Sequence, residues 1–199
     1  MPDTYDQAGD LTGYWTAVRA GDSRAYAHIH SQLHPVLYRY AFAMLGDDAL
    51  AEDVVQELFV RIWFKKDTIG ELRNVRAFFF TSLRRSALNQ LRGLRSLQIL
   101  TPGEPDIEFS PEDILIGEEE QSALRVRMSQ YLNQLPKRQK EVIFLRFYEE
   151  LPYSEVAVIM KVNYQSVINL AHKAITQLRA MMGKTPLWWL FLYVFQYFF

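Results

Sequence analysis

The feature that most constrains this chain is an interruption. Between Thr101 and Gly117 runs TPGEPDIEFSPEDILIG, an acidic stretch with three prolines and two glycines, lacking helical periodicity, and it separates two halves that both read as helix. A pattern of this kind predicts two lobes. In the first, Asp22 to Leu45 is a long amphipathic pattern, Asp47 and Asp48 offer N-caps for a helix Ala49 to Phe64, and Asn74 to Leu94 forms another. In the second, Glu118 to Asn133, Lys137 to Tyr148, Ser154 to Met160 and Tyr164 to Met182 continue as helices. Nothing alternates convincingly as a strand, and no internal repeat is visible. The expected fold is all-α, two small helical domains joined by an acidic linker. The first domain takes residues 12–95, the linker 96–117, the second 118–183, and residues 184–199 form a separate tail.

Charge follows the same division. The formal net charge of −1 conceals nine Lys and Arg against two Asp and Glu over residues 61–95, eight acidic residues and no basic one over 104–120, and ten basic against four acidic beyond 120. Charge runs are often only solvated faces, but two basic blocks around an acidic connector point to two anion-binding surfaces. Other classes fall away. A chain without cysteine has no disulfide, thiolate zinc site, iron–sulfur cluster or cysteine nucleophile. Its acidic start, MPDTYDQAGD, is the opposite of a secretory signal, so a cytoplasmic location is expected. The trio His28, His30 and His34 is the one foothold for an enzyme, yet it lacks the glutamate of H-E-x-x-H and a carboxylate nearby in the chain. With no phosphate-binding glycine loop or nucleophile elbow either, no enzyme, metal, cofactor or small-molecule substrate is expected.

In the second lobe, SEVAVIMKVNYQSVINLAHKAITQLR places a short helix about three residues before a longer one, the spacing of a helix-turn-helix. Val156, Ala157 and Ile159 can face inward on the first helix, and Val167, Leu170, Ala171, Ala174, Ile175 and Leu178 on the second. The opposite face then carries Gln165, Ser166, Asn169, His172, Lys173 and Thr176, starting after Asn163 as N-cap. Amides and hydroxyls near a helix N-terminus, with a cation further on, suit base edges and phosphates in a major groove. Periodicity alone fits an ordinary surface helix equally well.

The whole segment LPKRQKEVIFLRFYEELPYSEVAVIMKVNYQSVINLAHKAITQLR resembles the −35-binding region of the extracytoplasmic-function (ECF) sigma factors. That resemblance implies −35 contacts from Tyr164, Gln165, Ser166, Asn169, His172 and Lys173. Two positions depart from the pattern. Lys161 stands where a turn glycine is common, and Leu170 where many members carry arginine.

AEDVVQELFVRIWFK resembles the family's polymerase-docking helix. Val55, Leu58 and Ile62 form its inward stripe, whereas Asp53, Gln56, Glu57 and Val60 share the other face. An acidic first turn that only complements the helix dipole accounts for Glu52 and Asp53 but not Glu57. The resemblance implies core RNA polymerase as partner, bound through Asp53, Gln56, Glu57, Val60 and Trp63, with the aromatics Phe59 and Trp63 supplying buried area. Next, KKDTIGELRNVRAFFFTSLRRSALNQLRGLR interleaves cations with three phenylalanines, a combination suited to single-stranded DNA. By resemblance it holds the promoter −10 element, through Lys66, Arg73, Asn74, Arg76, Arg84, Arg85, Asn89 and Arg92. Phe79 is expected inward. The expected function is therefore an alternative sigma factor working on core RNA polymerase and promoter DNA, with a membrane-associated anti-sigma factor as a further partner. By resemblance, the acidic linker threads along the polymerase toward the RNA exit path, its carboxylates mimicking nucleic acid. A stand-alone helix-turn-helix regulator is the alternative. The end, LWWLFLYVFQYFF, is apolar at 12 of 13 positions, and at about 20 Å as a helix it falls short of a bilayer core. Packing on a lobe or contact with a partner is the expected use of Leu187 to Phe199.

Overall fold

The computed structural model describes residues 11–95, 105–111 and 122–182. Among them every regular element is helical: α1 (Thr12–Arg19), α2 (Ser23–Leu45), α3 (Asp48–Lys65), α4 (Val75–Arg95), α5 (Ser122–Asn133), α6 (Lys137–Ile143), a π-helical turn (Phe144–Tyr148), α7 (Tyr153–Met160) and α8 (Tyr164–Met182). The aromatic tail and the ends of the linker lie outside the described residues, as do Glu118 to Gln121, which were expected to open α5.

Caps set the helix boundaries. The Asp22 carboxylate accepts from the backbone N–H groups of Arg24 and Ala25, Asp47 accepts from Leu50, and Asn74 accepts from Ala77 at 2.7 Å. At the other end of α2, Gly46 takes φ 68° and donates its N–H to the Phe42 carbonyl, a left-handed stop that glycine adopts without a side-chain clash. Pro35 does not break α2; it sits on the exposed side of a helix that packs along its other face. Inward residues from four helices, among them Trp15, Ile29, Leu37, Leu58, Phe79 and Leu83, fill the first lobe. Trp15 satisfies its indole N–H on the Gly70 carbonyl at 3.1 Å, which pins the loop before α4.

In the second lobe α7 and α8 form the helix-turn-helix, with Val156, Ala157, Ile159, Val167, Ala171, Ala174 and Leu178 buried as their spacing predicts. The turn between them holds Lys161 at φ 54°, ψ 47°. A left-handed lysine costs about 1 kcal/mol relative to the glycine common there.

The two lobes pack together: α4 packs on α7, and the ring of Tyr40 from α2 lies 5.6 Å from Phe80 and 5.8 Å from Phe144, so one apolar core runs across the seam. The linker has a buried side as well. Ile107 and Phe109 are fully buried, Glu108 donates its N–H to the Ala43 carbonyl, and Asn133 brackets Phe109 with two hydrogen bonds to its backbone. Asp106 pairs with Lys137 at 3.1 Å and Lys140 at 2.5 Å. Burial opposes its charged form, but the two lysines more than offset this and hold its carboxyl below the ordinary range.

Candidate functional site

Three surfaces carry the residues expected to bind. On α3, Val55, Leu58 and Ile62 turn inward and leave Asp53, Gln56, Glu57 and Val60 exposed together on the outer face. The aromatics differ from expectation. Phe59 is buried, with its carbonyl accepting from the Tyr26 hydroxyl, and Trp63 is half-buried, its ring 5.1 Å from that of Tyr26 and capped by the Lys66 ammonium at 4.7 Å. Phe64 takes the place foreseen for them: it is 78% exposed and continues the strip Asp53, Glu57, Val60 at alternating steps of four, three and four. That three- and four-residue spacing is visible in the sequence.

On α8 the helix opens as its sequence implies, with Asn163 accepting from the Ser166 N–H at 2.7 Å. Gln165, Asn169, His172 and Lys173 are exposed along one stripe, Tyr164 is exposed beside it and Ser166 is half-buried. The Gln165 amide donates to Asn169 at 3.2 Å, orienting two groups capable of reading base edges. Nothing from the rest of the described chain covers this stripe except local contacts along α8 itself.

On α4 the expected cations divide. Arg73, Asn74, Arg85, Asn89 and Arg92 are exposed, although Asn74 spends its side-chain oxygen on the helix cap and Arg92 reaches Asn89. Lys66 leans on Trp63 and pairs with Asp67 at 3.6 Å. Arg76 and Arg84 point elsewhere. Arg76 donates to the Glu149 carbonyl at 2.5 Å, and Arg84 grips the Glu141 carboxylate with Nε at 2.6 Å and a terminal nitrogen at 3.1 Å. Both acceptors belong to the second lobe. Burial works against the Arg84 charge, but the hydrogen bonds and charge of Glu141 more than compensate and raise its pKa. As for the histidines, folding brings the carboxylate that the sequence lacked: Glu52 lies 3.3 Å from the His34 ring, which stacks on His30. Burial lowers the His30 pKa, helped by His34. Among the described residues no group of three could hold a metal ion.

A helical lobe with an exposed acidic and apolar strip, followed by a helix-turn-helix lobe with an open polar stripe, has the architecture of a helical DNA-binding protein. Residues 29–96 match the family described as Sigma-70 region 2, and residues 125–178 match Sigma-70, region 4. With both regions present in order, the chain belongs to the sigma-70 family, within its ECF group. The chain is 29% identical over 161 residues to the ECF RNA polymerase sigma factor SigL of Mycobacterium tuberculosis, covering 80% of this chain and 90% of SigL. It is 27% identical over 150 residues to the RNA polymerase sigma factor SigV of Bacillus subtilis, covering 75% and 86%. In fold it is similar to CnrH, solved in complex with the cytosolic domain of CnrY, with TM-score 0.61 at 20% identity over 87% of this chain and 97% of that one. The RpoE of Bartonella quintana, solved with the anti-sigma factor NepR, gives TM-score 0.59 at 21% identity over 79% and 96%. Members of this family are transcription initiation factors and not enzymes. No helix among the described residues is long and apolar enough to cross a membrane.

Proposed function

We propose that this sigma factor docks on core RNA polymerase through the outer face of α3, reads −35 duplex through α8 and holds the opened −10 strand against α4, acting in the cytoplasm. The observation that carries the reading is the α3 strip. Asp53, Gln56 and Glu57 set charge and polarity for a basic partner helix, while Val60 and Phe64 offer apolar area that no described part of the chain covers. A stand-alone DNA-binding regulator has no use for such a face. On α8, Gln165 and Asn169 would contact bases, Tyr164 and Ser166 would flank them, and His172 and Lys173 would meet the backbone. On α4, Arg85, Asn89 and Arg92 track phosphates, with Lys66, Arg73 and Asn74 around the loop that would receive an unstacked base. Because both solved relatives of similar fold are described in complexes with protein partners, one of them an anti-sigma factor, an anti-sigma partner is proposed for this chain too.

Co-elution with sigma-free core RNA polymerase at about 0.15 M salt, where loose charge contacts are screened beyond about 8 Å, tests the reading. Stoichiometric association that is lost in the double variant Asp53→Lys, Glu57→Lys, with helix content intact, supports it. Absence of association in the native chain overturns it.

A further inference from the structure

We propose that the apolar end of this chain, Tyr193 to Phe199, docks back into an open groove between α4 and α7, so that the protein itself supplies the occupant of that groove. The groove has a volume of about 430 Å³ and is lined by Ala77, Phe78 and Thr81 of α4 and by Ser154, Glu155 and Val158 of α7. Ala77, Phe78 and Val158 make much of it apolar. Val158 is 58% exposed there, while Val156, Ala157, Ile159 and Met160 of the same helix are buried. Two polar atoms of the lining residues, Thr81 Oγ1 and Glu155 Oε2, are buried without a hydrogen-bond partner, a state that folded proteins seldom leave unrelieved. Each can accept a hydrogen bond, so a fitting occupant is an apolar segment that carries donors.

The end of the chain has that chemistry. From Thr185 to Phe199 it holds no charged side chain, and Phe195, Phe198 and Phe199 are interleaved with Tyr193, Gln196 and Tyr197. Those last three bring two hydroxyls and an amide, all donors, at three- and four-residue spacings. Gly183 and Pro186 follow α8 directly, and such residues stop a helix and let the chain turn. Length permits the return. The seventeen residues after Met182 span up to about 56 Å when extended, twice the roughly 28 Å of α8, so they can run back past Tyr164 to α7. The exposed Val60 and Phe64 on α3 suit this segment less well, because they stand with Asp53 and Glu57 and it has no cation to offer those carboxylates. In the groove, aromatic surface that water would otherwise meet is covered, and the orphaned acceptors of α4 and α7 gain partners. This assignment is independent of how the chain meets polymerase.

Phe198→p-benzoylphenylalanine in the full-length chain places a photoreactive group in the docking segment. Irradiation of dilute protein in the presence of phosphatidylglycerol vesicles, followed by peptide mass spectrometry of the monomer band, should join residue 198 to residues 74–81 or 154–158. Val158→Asp and, separately, Ser154→Arg put a charge at exposed positions of the groove, and each should lower that yield about tenfold while helical circular dichroism is unchanged. Should Val158→Asp lose helix, Ser154→Arg decides, since Ser154 is exposed at the first turn of α7. Attachment to lipid, to a second copy in a dimer band or to another part of the chain overturns the proposal, as does a groove product whose yield a folded variant leaves unaltered.

Discussion

α4 and α8 both carry exposed polar faces proposed to meet DNA, but the fold treats them differently. The polar stripe of α8 touches little beyond itself, whereas α4 has given two of its arginines to the other lobe. A residue on α8 can therefore be judged by what it does to DNA alone. On α4 the same substitution also alters the protein.

Arg84→Ala should give the largest effect that separates the two helices. It leaves Glu141 buried without its cation, so chemical denaturation should show a loss of about 3–5 kcal/mol. A loss below about 1 kcal/mol would mean the pair is not closed in solution. Asn169→Ala should instead leave the denaturation midpoint unchanged and weaken −35 duplex binding by about 1–3 kcal/mol at fixed salt. Equal loss on all duplex sequences would make Asn169 a backbone contact. Asn163→Ala removes the α8 cap and should cost about 1 kcal/mol of stability, and Lys161→Gly should return a similar amount by relieving the left-handed backbone. The smallest effect belongs to the linker. Asp106→Asn should cost well under 1 kcal/mol, because its carboxylate is nearly half exposed. Since folding lowers its pKa, its contribution is full above the unfolded value of about 3.9 and fades as pH falls through the folded value, so native and variant stabilities should converge in acid.

Much of this was legible beforehand. Periodicity placed α2, α3, α4, α7 and α8 closely, and the caps Asp47 and Asn163 were readable because capping is local chemistry. Phe79 faces inward as expected, and so does its neighbour Phe80. What could not be read were pairings between residues distant in sequence. Glu141 looks like any acidic residue in the first turns of a helix, and nothing local reveals that Arg84, 57 positions earlier, will meet it. The linker does carry a signal of its buried side. Asp106, Ile107, Glu108 and Phe109 alternate polar and apolar, the period of an extended segment with one buried side, but the surrounding prolines and acids concealed it.

Ile107 and Phe109 seat a stretch of the connecting chain between the bodies it joins. Joined in this way, each lobe meets the other at an effective concentration on the order of 1 mM, whatever the amount of protein in the cell. An interface with a Kd of only about 0.1 mM between separate molecules would then be formed roughly nine-tenths of the time. Whatever its strength, such a contact is independent of dilution, because both of its sides are carried on one chain.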